Sequence, residues 1–411
     1  MHIFLNALGT TCASGLTYVR NVIPHLSAHG DLQTTVVMKR ELRKEFVTSP
    51  NISFLDVDSP QEAARRFWFE QKALPGLIRS SGADVLVSAG NFALRNSPVP
   101  QILLSGNSLY TSSDFARDLR ARREYAFRLD NRIKGFFARR SIHWADSTVA
   151  PSRTFAEELR RWTGKQIVSI YHGFDSDVFF SDSTGLPRHI QEKLDSTYDA
   201  LRLLFVSHYN YYRNFETLLR AIPILRDRLG QKIRLFLTCE LRSGANPGSY
   251  RAEEAAALVE GLGIREEVVE LGTVPYRLLH HVYKMCDVYV TPAYAETFAH
   301  PLVEAMASGL PVVASDLPVH REICGRAALY FQRFSPEELS GQVLHIAESA
   351  ECRQWLSHLG VTRSQNFSWA KHTAELLGLA ASLVRARAVS CEARVLTPEG
   401  SRDIQAVSEI G

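Results

Sequence analysis

The chain is poor in cysteine, and its cysteines form no pairing pattern. Cys12, Cys239, Cys286, Cys324, Cys352 and Cys391 are scattered over 411 residues with no Cys-x-x-Cys among them. That argues against a disulfide framework and a thiolate zinc site, and for reduced thiols in a cytoplasmic protein. No apolar run approaches the length of a membrane span. The opening residues MHIFLNAL lack a basic segment and read as a strand rather than as a signal peptide. A formal net charge of +3 is too small to imply nucleic-acid binding by the chain as a whole. The Gly-x-Gly-x-x-Gly fingerprint is absent, and no Asp-x-Asp element stands out as a metal site.

What is present is the composition of a globular protein, 45% hydrophobic and 22% charged, at a length that favours two domains. Strand and helix patterns alternate almost throughout, which predicts α/β architecture with parallel sheets. Strands are expected near His2–Ala7, Thr34–Val37, Ile52–Leu55, Val85–Ser88, Gln101–Leu104, Ser147–Val149 and Ile167–Ile170. Helices are expected between them, among them a long one over Asp114–Ser141. Residues 181–200 dissolve into Asp, Ser, Gly and Pro and read as a linker between a first domain, 1–180, and a second, 201–370. A second series starts at Leu201–Ser207 and closes with an amphipathic helix over 371–388, beginning near Trp369. From 389 to 411 the tail is polar and aperiodic and reads as disordered.

The most informative stretch is ETFAHPLVEAMASGLPVVAS, residues 296–315. Pro301 suits the first turn of a helix, Gly309 stops it, and PVVAS reads as a buried strand. Glu296 then lies just before a helix N-terminus and Glu304 inside its first turns. Such a terminus offers free N–H groups and partial positive charge to a phosphate, while carboxylates beside it accept hydrogen bonds from hydroxyls. Phosphate and hydroxyls together suggest a nucleotide-sugar; an ordinary αβ unit with capping or solvated glutamates fits the spacing equally well.

Other segments carry weaker signals. Ala13-Ser14-Gly15-Leu16 follows the first strand, where a small-residue turn lets a ligand approach the backbone. Ser207–Asn214 (SHYNYYRN) follows the first strand of the second series and presents His208 and Arg213 where a diphosphate could be held. Leu271–Tyr276 forms a turn whose backbone can read the edge of a nucleobase. Between Arg117 and Arg140 there are nine basic and three acidic residues, a local +6, with Phe127, Ile133, Phe136 and Phe137 interleaved. That is the pattern of a basic amphipathic helix on an anionic membrane, or of a long helix with a solvated face. It lacks a nucleic-acid recognition motif.

Together these motifs resemble the retaining glycosyltransferases of family four. The element ETFAHPLVEAMASGLPV is similar to that family's Glu-x7-Glu element, and Val206-Ser207-His208…Arg213-Asn214 is similar to its strand–loop with Arg and Lys. The likeness is close over residues 145–375 and loose before them. It implies the GT-B fold: two doubly wound Rossmann-like domains facing across a cleft, with a C-terminal helix crossing back to the first. It also implies transfer of a sugar from a nucleotide-diphosphate sugar to a carbohydrate or lipid-linked acceptor hydroxyl, with retention and without metal or other cofactor. Arg213 and His208 would then face the diphosphate. Glu296 would meet the sugar hydroxyls, the backbone over Phe298, Ala299 and His300 the sugar or phosphate, Glu304 the ribose and Val274 the base. Gly15 would let the first domain close, and Asn107 would stand where many relatives place a histidine, which puts Arg213, Glu296 and Asn107 nearest the chemistry. Two residues depart from the pattern: His208 replaces a fixed cation, and Ala299 replaces a glycine. A GT-B epimerase or hydrolase, a non-catalytic nucleotide-sugar binder and a membrane-surface protein are the rival readings. They are separated by acceptor dependence and by sensitivity to Glu304.

Overall fold

The computed structural model describes residues 1–395 apart from residues 11, 12, 61, 198 and 249. Two all-parallel sheets organise them. The first contains β1 (His2–Asn6), β2 (Gln33–Met38), β3 (Ile52–Asp56), β4 (Val85–Ser88), β5 (Gln101–Leu104), β6 (Ser147–Ala150) and β7 (Val168–Ser169). The second contains β8 (Ala200–Phe205), β9 (Lys232–Leu237), β10 (Val268–Glu270), β11 (Val288–Thr291), β12 (Val312–Ser315) and β13 (Ala328–Phe331). Their orders are β3-β2-β1-β4-β5-β6-β7 and β10-β9-β8-β11-β12-β13. Central strands such as VLVS (β4), VYVT (β11) and VVAS (β12) are buried at every position, as expected where helices cover both faces.

The strand order of each sheet reverses once, between β1 and β4 and between β8 and β11. A ligand crevice forms beyond the strand ends at such a switch point. The loops that leave β1, β4, β8 and β11 are therefore the ones placed to build a site.

The last helix, Trp369–Val395, crosses back: Trp369, Leu376 and Ala380 belong to the core under the first sheet, and Arg387 donates to the Pro98 carbonyl at 2.8 Å. It extends through residues 389–395, which the sequence assigns to a disordered tail; residues 396–411 of that tail lie outside the described residues.

Two further expectations are corrected. The single helix over Asp114–Ser141 is two, Ser113–Ala121 and Tyr125–Trp144, broken where Arg123 takes φ +59°. The first of these belongs energetically to the other sheet: Phe115 and Leu119 are fully buried in the core built around β8 and β9. The 181–200 stretch is not wholly irregular; it carries a helix, Arg188–Asp195, whose Ile190 and Leu194 are buried under the second sheet.

A second seam joins the two halves through charge. Arg122, at the break between the two helices, meets Asp118 at 2.8 Å, Glu216 at 2.7 Å and Glu254 at 2.7 Å, and lies over the Tyr211 ring at 4.2 Å. Tyr294 donates to Asp118 at 2.7 Å, and Arg333 meets Asp114 at 2.6 Å. The helix Ser113–Ala121 is thus tied to the second half by apolar packing of Phe115 and Leu119 and by the carboxylates of Asp114 and Asp118.

Candidate functional site

A cleft of about 560 Å³ opens between the two switch points. Its wall includes all ten residues singled out from the sequence: Gly15, Asn107, His208, Arg213, Val274, Glu296, Phe298, Ala299, His300 and Glu304. Gly9 and Gly90 face each other across the first switch point so closely that a Cβ on Gly9 would sit 3.1 Å from the Gly90 Cα.

The second-domain wall is built by two loops. Asn210 caps the turn Tyr211–Arg213 by accepting from the Arg213 amide at 3.1 Å, and Asn214 follows in the left-handed region at φ +55°. The Asn214 side chain donates to the carbonyls of Pro292 and Arg333, which pins this loop to the one after β11. The Arg213 side chain is thereby directed onto Glu296, with which it forms an ion pair. Its Nε is buried without a partner among the described residues, so donor capacity remains for an incoming anion. Burial pushes the Glu296 carboxyl upward, but the Arg213 charge and the Thr297 amide outweigh it and hold the group below its usual range. Glu296 is therefore ionised at neutral pH.

Helix His300–Ala307 begins on this wall. Its N-cap, Ala299, supplies no side-chain cap, and Pro301 occupies the first turn. Pro301 has no N–H and the Leu302 N–H donates to the Ala299 carbonyl at 3.0 Å, so at the start of the helix the His300 N–H is the group left for a ligand to satisfy. Ala299 itself holds φ +66°, ψ 67°, a conformation that glycine adopts freely and alanine does not. Ala299→Gly is accordingly expected to stabilise the protein by about 1 kcal/mol. Scanning calorimetry should record a rise of roughly 2 °C; a fall would show that the alanine conformation costs nothing here.

Glu304 lies deeper on the same helix. Burial pushes its carboxyl up to about 7, against hydrogen bonds from Tyr283 and Tyr276; the Tyr283 hydroxyl donates to Oε2 at 2.9 Å. A polyol that donates to this carboxylate favours its ionised form. Binding should then strengthen as pH rises through 7 and weaken, by about tenfold between pH 8 and pH 6, as the group protonates. Calorimetric titration with UDP and GDP over that range, compared with Glu304→Gln, isolates the effect; the same slope in the variant would assign it to another group.

The histidines of the cleft are neutral. His208 is lowered by burial and then by Arg213, and its Nδ1 has no partner among the described residues. Arg213 is thus the one permanent cation among the described residues of the wall. His300 is lowered by burial to about 4 and stacks on His172 with ring centroids 5.1 Å apart. His172 in turn contacts Phe298, Tyr18 and Trp369. His372 Nδ1 donates to the Tyr171 carbonyl at 2.8 Å, so its Nε2, 3.1 Å away, accepts from Tyr18. This aromatic cluster joins the first helix, the segment after β7, the loop after β11 and the crossing helix behind the cleft. Sequence reasoning missed it, because its members are separated by up to 354 residues and share no motif.

Two first-domain residues serve structure as well as the wall. A Cβ on Gly15 would meet the Thr10 Cα at 3.1 Å, so the absence of a side chain there lets the helix start pack on its own strand loop. The Asn107 carbonyl oxygen accepts from the Leu109 amide at 3.0 Å, capping the turn Ser108–Tyr110. Val274 is buried in the turn after β10, beside Gly272 at φ +76°. No group of three or more His, Cys, Asp or Glu side chains among the described residues is arranged to hold a metal.

Comparison with known proteins bears on this geometry. Residues 188–358 match the family model of glycosyl transferases group 1. Among curated relatives, the D-inositol 3-phosphate glycosyltransferase of Corynebacterium aurimucosum is 25% identical over 233 residues, 56% of this chain and 54% of that protein. The O-antigen chain mannosyltransferase B of Escherichia coli is 26% identical over 177 residues, 42% of this chain and 44% of that one. The chain thus spans about half the length of the curated relatives it matches. The fold is GT-B over nearly its whole length. Sucrose-phosphate synthase of Thermosynechococcus elongatus superposes with a TM-score of 0.75 at 18% identity, over 94% of this chain and 100% of that one. HepE of Anabaena, solved with UDP, superposes with a TM-score of 0.68 at 15% identity, over 93% and 99%.

The family match contains His208, Arg213, Val274, Glu296, Phe298, Ala299, His300 and Glu304; Gly15 and Asn107 fall outside it. That division follows the wall of the cleft: the group 1 segment carries the charged side, and the preceding sheet carries the small and neutral side.

Proposed function

We propose that this chain is a retaining glycosyltransferase that takes a sugar from a nucleotide-diphosphate sugar and passes it to an acceptor hydroxyl, in the cytoplasm, during glycan assembly. The observation that carries the reading is the Arg213–Glu296 pair set against the uncapped start of helix His300–Ala307, with Glu304 below it, in a cleft between two switch points. The Arg213 guanidinium and the helix amides receive the diphosphate, Glu296 the hydroxyls of the sugar, Glu304 the ribose, and the turn at Val274 the base. Arg213 and the helix N-terminus stabilise the negative charge that grows on the leaving phosphate, so the protein itself supplies the electrostatic work and metal is dispensable.

In this reaction the acceptor oxygen bonds to the anomeric carbon on the face that the phosphate leaves. The sugar–phosphate bond breaks, and the acceptor proton passes to the departing phosphate oxygen. A double displacement needs a free carboxylate beneath the anomeric carbon. The two carboxylates of the described wall are engaged, Glu296 by Arg213 and Glu304 by Tyr283, which supports the one-face course.

The test is release of nucleoside diphosphate from a panel of UDP-, GDP- and ADP-sugars, with and without carbohydrate and lipid-linked acceptors, followed by product analysis. Acceptor-dependent release with a retained anomeric configuration is expected. Free sugar at the full rate without acceptor would identify a hydrolase, and an isomerised donor an epimerase.

A further inference from the structure

The 14 large apolar side chains exposed among the described residues are mostly scattered, but four stand on one helix. On Tyr125–Trp144, Tyr125 is 61% exposed, Leu129 60%, Ile133 50% and Phe136 57%. Their spacings of four, four and three residues put them on a single face. The opposite face, with Gly135, Ala138 and Ile142, is buried.

The stripe is edged by positive charge. Residues 125–144 contain Arg128, Arg132, Lys134, Arg139 and Arg140 against one carboxylate, Asp130, and Asp130 is bound by Lys134 at 2.6 Å. Arg132, Arg139 and Arg140 are exposed, and Arg140 lies over the Phe136 ring at 5.6 Å. A chain of ring contacts, Phe136 to Phe137 to Phe67 to Trp68, carries the apolar surface onto the neighbouring helix Ala63–Ser81, where Trp68 is 58% exposed and Lys72 is exposed one turn on.

We infer that this stripe docks the protein on the surface of an anionic lipid bilayer, with Tyr125, Leu129, Ile133, Phe136 and Trp68 entering the headgroup region and Arg132, Arg139 and Arg140 meeting lipid phosphates. An amphipathic face of aromatic and aliphatic residues bordered by arginines is suited to that boundary. Two copies of the chain are poorly suited to each other here, because a symmetric contact would bring Arg132, Arg139 and Arg140 against their own equivalents.

The surface is narrower than the basic run in the sequence suggests. Arg122 is held by three carboxylates and withdrawn from the surface, and Arg117 stands on the preceding helix beside Asp114, off the apolar stripe. Docking also orients the cleft. Asn131 donates to the Leu109 carbonyl at 2.9 Å, and Gly135 abuts Tyr110, so the buried face of this helix backs the turn Asn107–Leu109 that lines the cleft. If the transferase reading holds, the first-domain side of the cleft stands at the membrane and the acceptor is lipid-borne; docking itself does not depend on that reading.

The experiment is co-sedimentation of the full chain with phosphatidylglycerol-rich vesicles and with pure phosphatidylcholine vesicles. Selective binding to the anionic vesicles, weakened by salt, is expected. Leu129→Glu/Ile133→Glu and Arg132→Glu/Arg139→Glu/Arg140→Glu should each lower that binding at least roughly tenfold. Arg228→Glu, on an exposed position elsewhere, should not. Thermal melts and UDP or GDP binding of each variant report whether it folds and keeps its cleft. Wild-type levels of vesicle binding by the folded variants, or none by the wild type, would overturn the inference. So would a dimer in ultracentrifugation that Ile133→Glu dissociates, since the stripe would then be a contact between copies. Loss of nucleotide binding with vesicle binding intact would count against the transferase reading alone.

Discussion

Arg213→Ala is expected to lower sugar transfer by about 10²–10³-fold and to cost the fold roughly 3–5 kcal/mol. Both effects come from one geometry. The Arg213 side chain is 21% exposed and that of Glu296 11%, so the pair is largely withdrawn from water. Removing the guanidinium leaves the Glu296 carboxylate buried beside only the Thr297 amide, at 3.0 Å. It also removes the one permanent cation among the described residues of the cleft wall, because burial keeps His208 neutral. The two losses can be separated. Arg213→Ala/Glu296→Ala removes the uncompensated charge, so it should recover much of the stability and none of the activity. Arg213→Lys keeps a charge but loses the fork that serves a carboxylate and a phosphate together, so its defect should lie mainly in transfer. Urea denaturation and steady-state rates on the same four proteins give the comparison; near-wild-type transfer by Arg213→Ala would remove this residue from the proposed mechanism.

The charged side of this site was legible in the chain because its geometry is local. Pro301 and Gly309 punctuate one helix, the strand VVAS follows, and seven residues separate Glu296 from Glu304. A strand–loop–helix unit of this kind carries its own instructions. The alternation of elements was legible for the same reason, and β4 and β5 occupy the residues expected of them.

What escaped was decided by partners far away. The break at Arg123 has no glycine or proline to announce it; it exists because Arg122 is drawn to Glu216 and Glu254, some hundred residues on, while Phe115 and Leu119 are drawn into the second core. The helix Arg188–Asp195 hid in a polar stretch because it buries only Ile190 and Leu194. The turn Asn107–Tyr110 presents polar side chains that suggest chemistry, yet the Asn107 side-chain oxygen accepts from the Leu109 amide as a cap, a contact the sequence does not announce. Membrane-like character was read across Arg117–Arg140 as one helix; the structure assigns its first part to the seam between the halves and leaves the apolar stripe to the second.

That seam has a mechanical consequence. The turn Asn107–Tyr110 leads directly into the helix Ser113–Ala121, which is bound to the second sheet, while Tyr294, in the loop after β11, donates to Asp118 on that helix. The neutral wall and the charged wall of the cleft are therefore coupled outside the cleft itself, and the crossing helix couples them again at the opposite side.

The second coupling gives the other large expected effect. Gly173 lies where the chain leaves the first sheet, and a Cβ there would stand 2.0 Å from the Trp369 nitrogen and 2.4 Å from the Ser368 carbonyl carbon. Both obstacles are backbone, so no rotamer change relieves them. Gly173→Ala must displace the start of the crossing helix, and the displacement reaches the rings packed on Trp369: His172 at 5.4 Å, Tyr18 at 5.8 Å and His300 at 5.9 Å. Overpacking that can only be relieved by moving backbone lies at the upper end of the usual cost, about 3 kcal/mol or more. A fall in melting temperature of roughly 6–10 °C is expected, with faster proteolysis within the crossing helix and weaker nucleotide binding, because His300 begins the helix proposed to seat the phosphate. Gly185→Ala, at a glycine with open space around it, is the matched control and should melt with the wild type. A Gly173→Ala protein as stable as that control would mean that the crossing helix can shift without loss, and that the aromatic cluster behind the cleft does not hold the two domains in register.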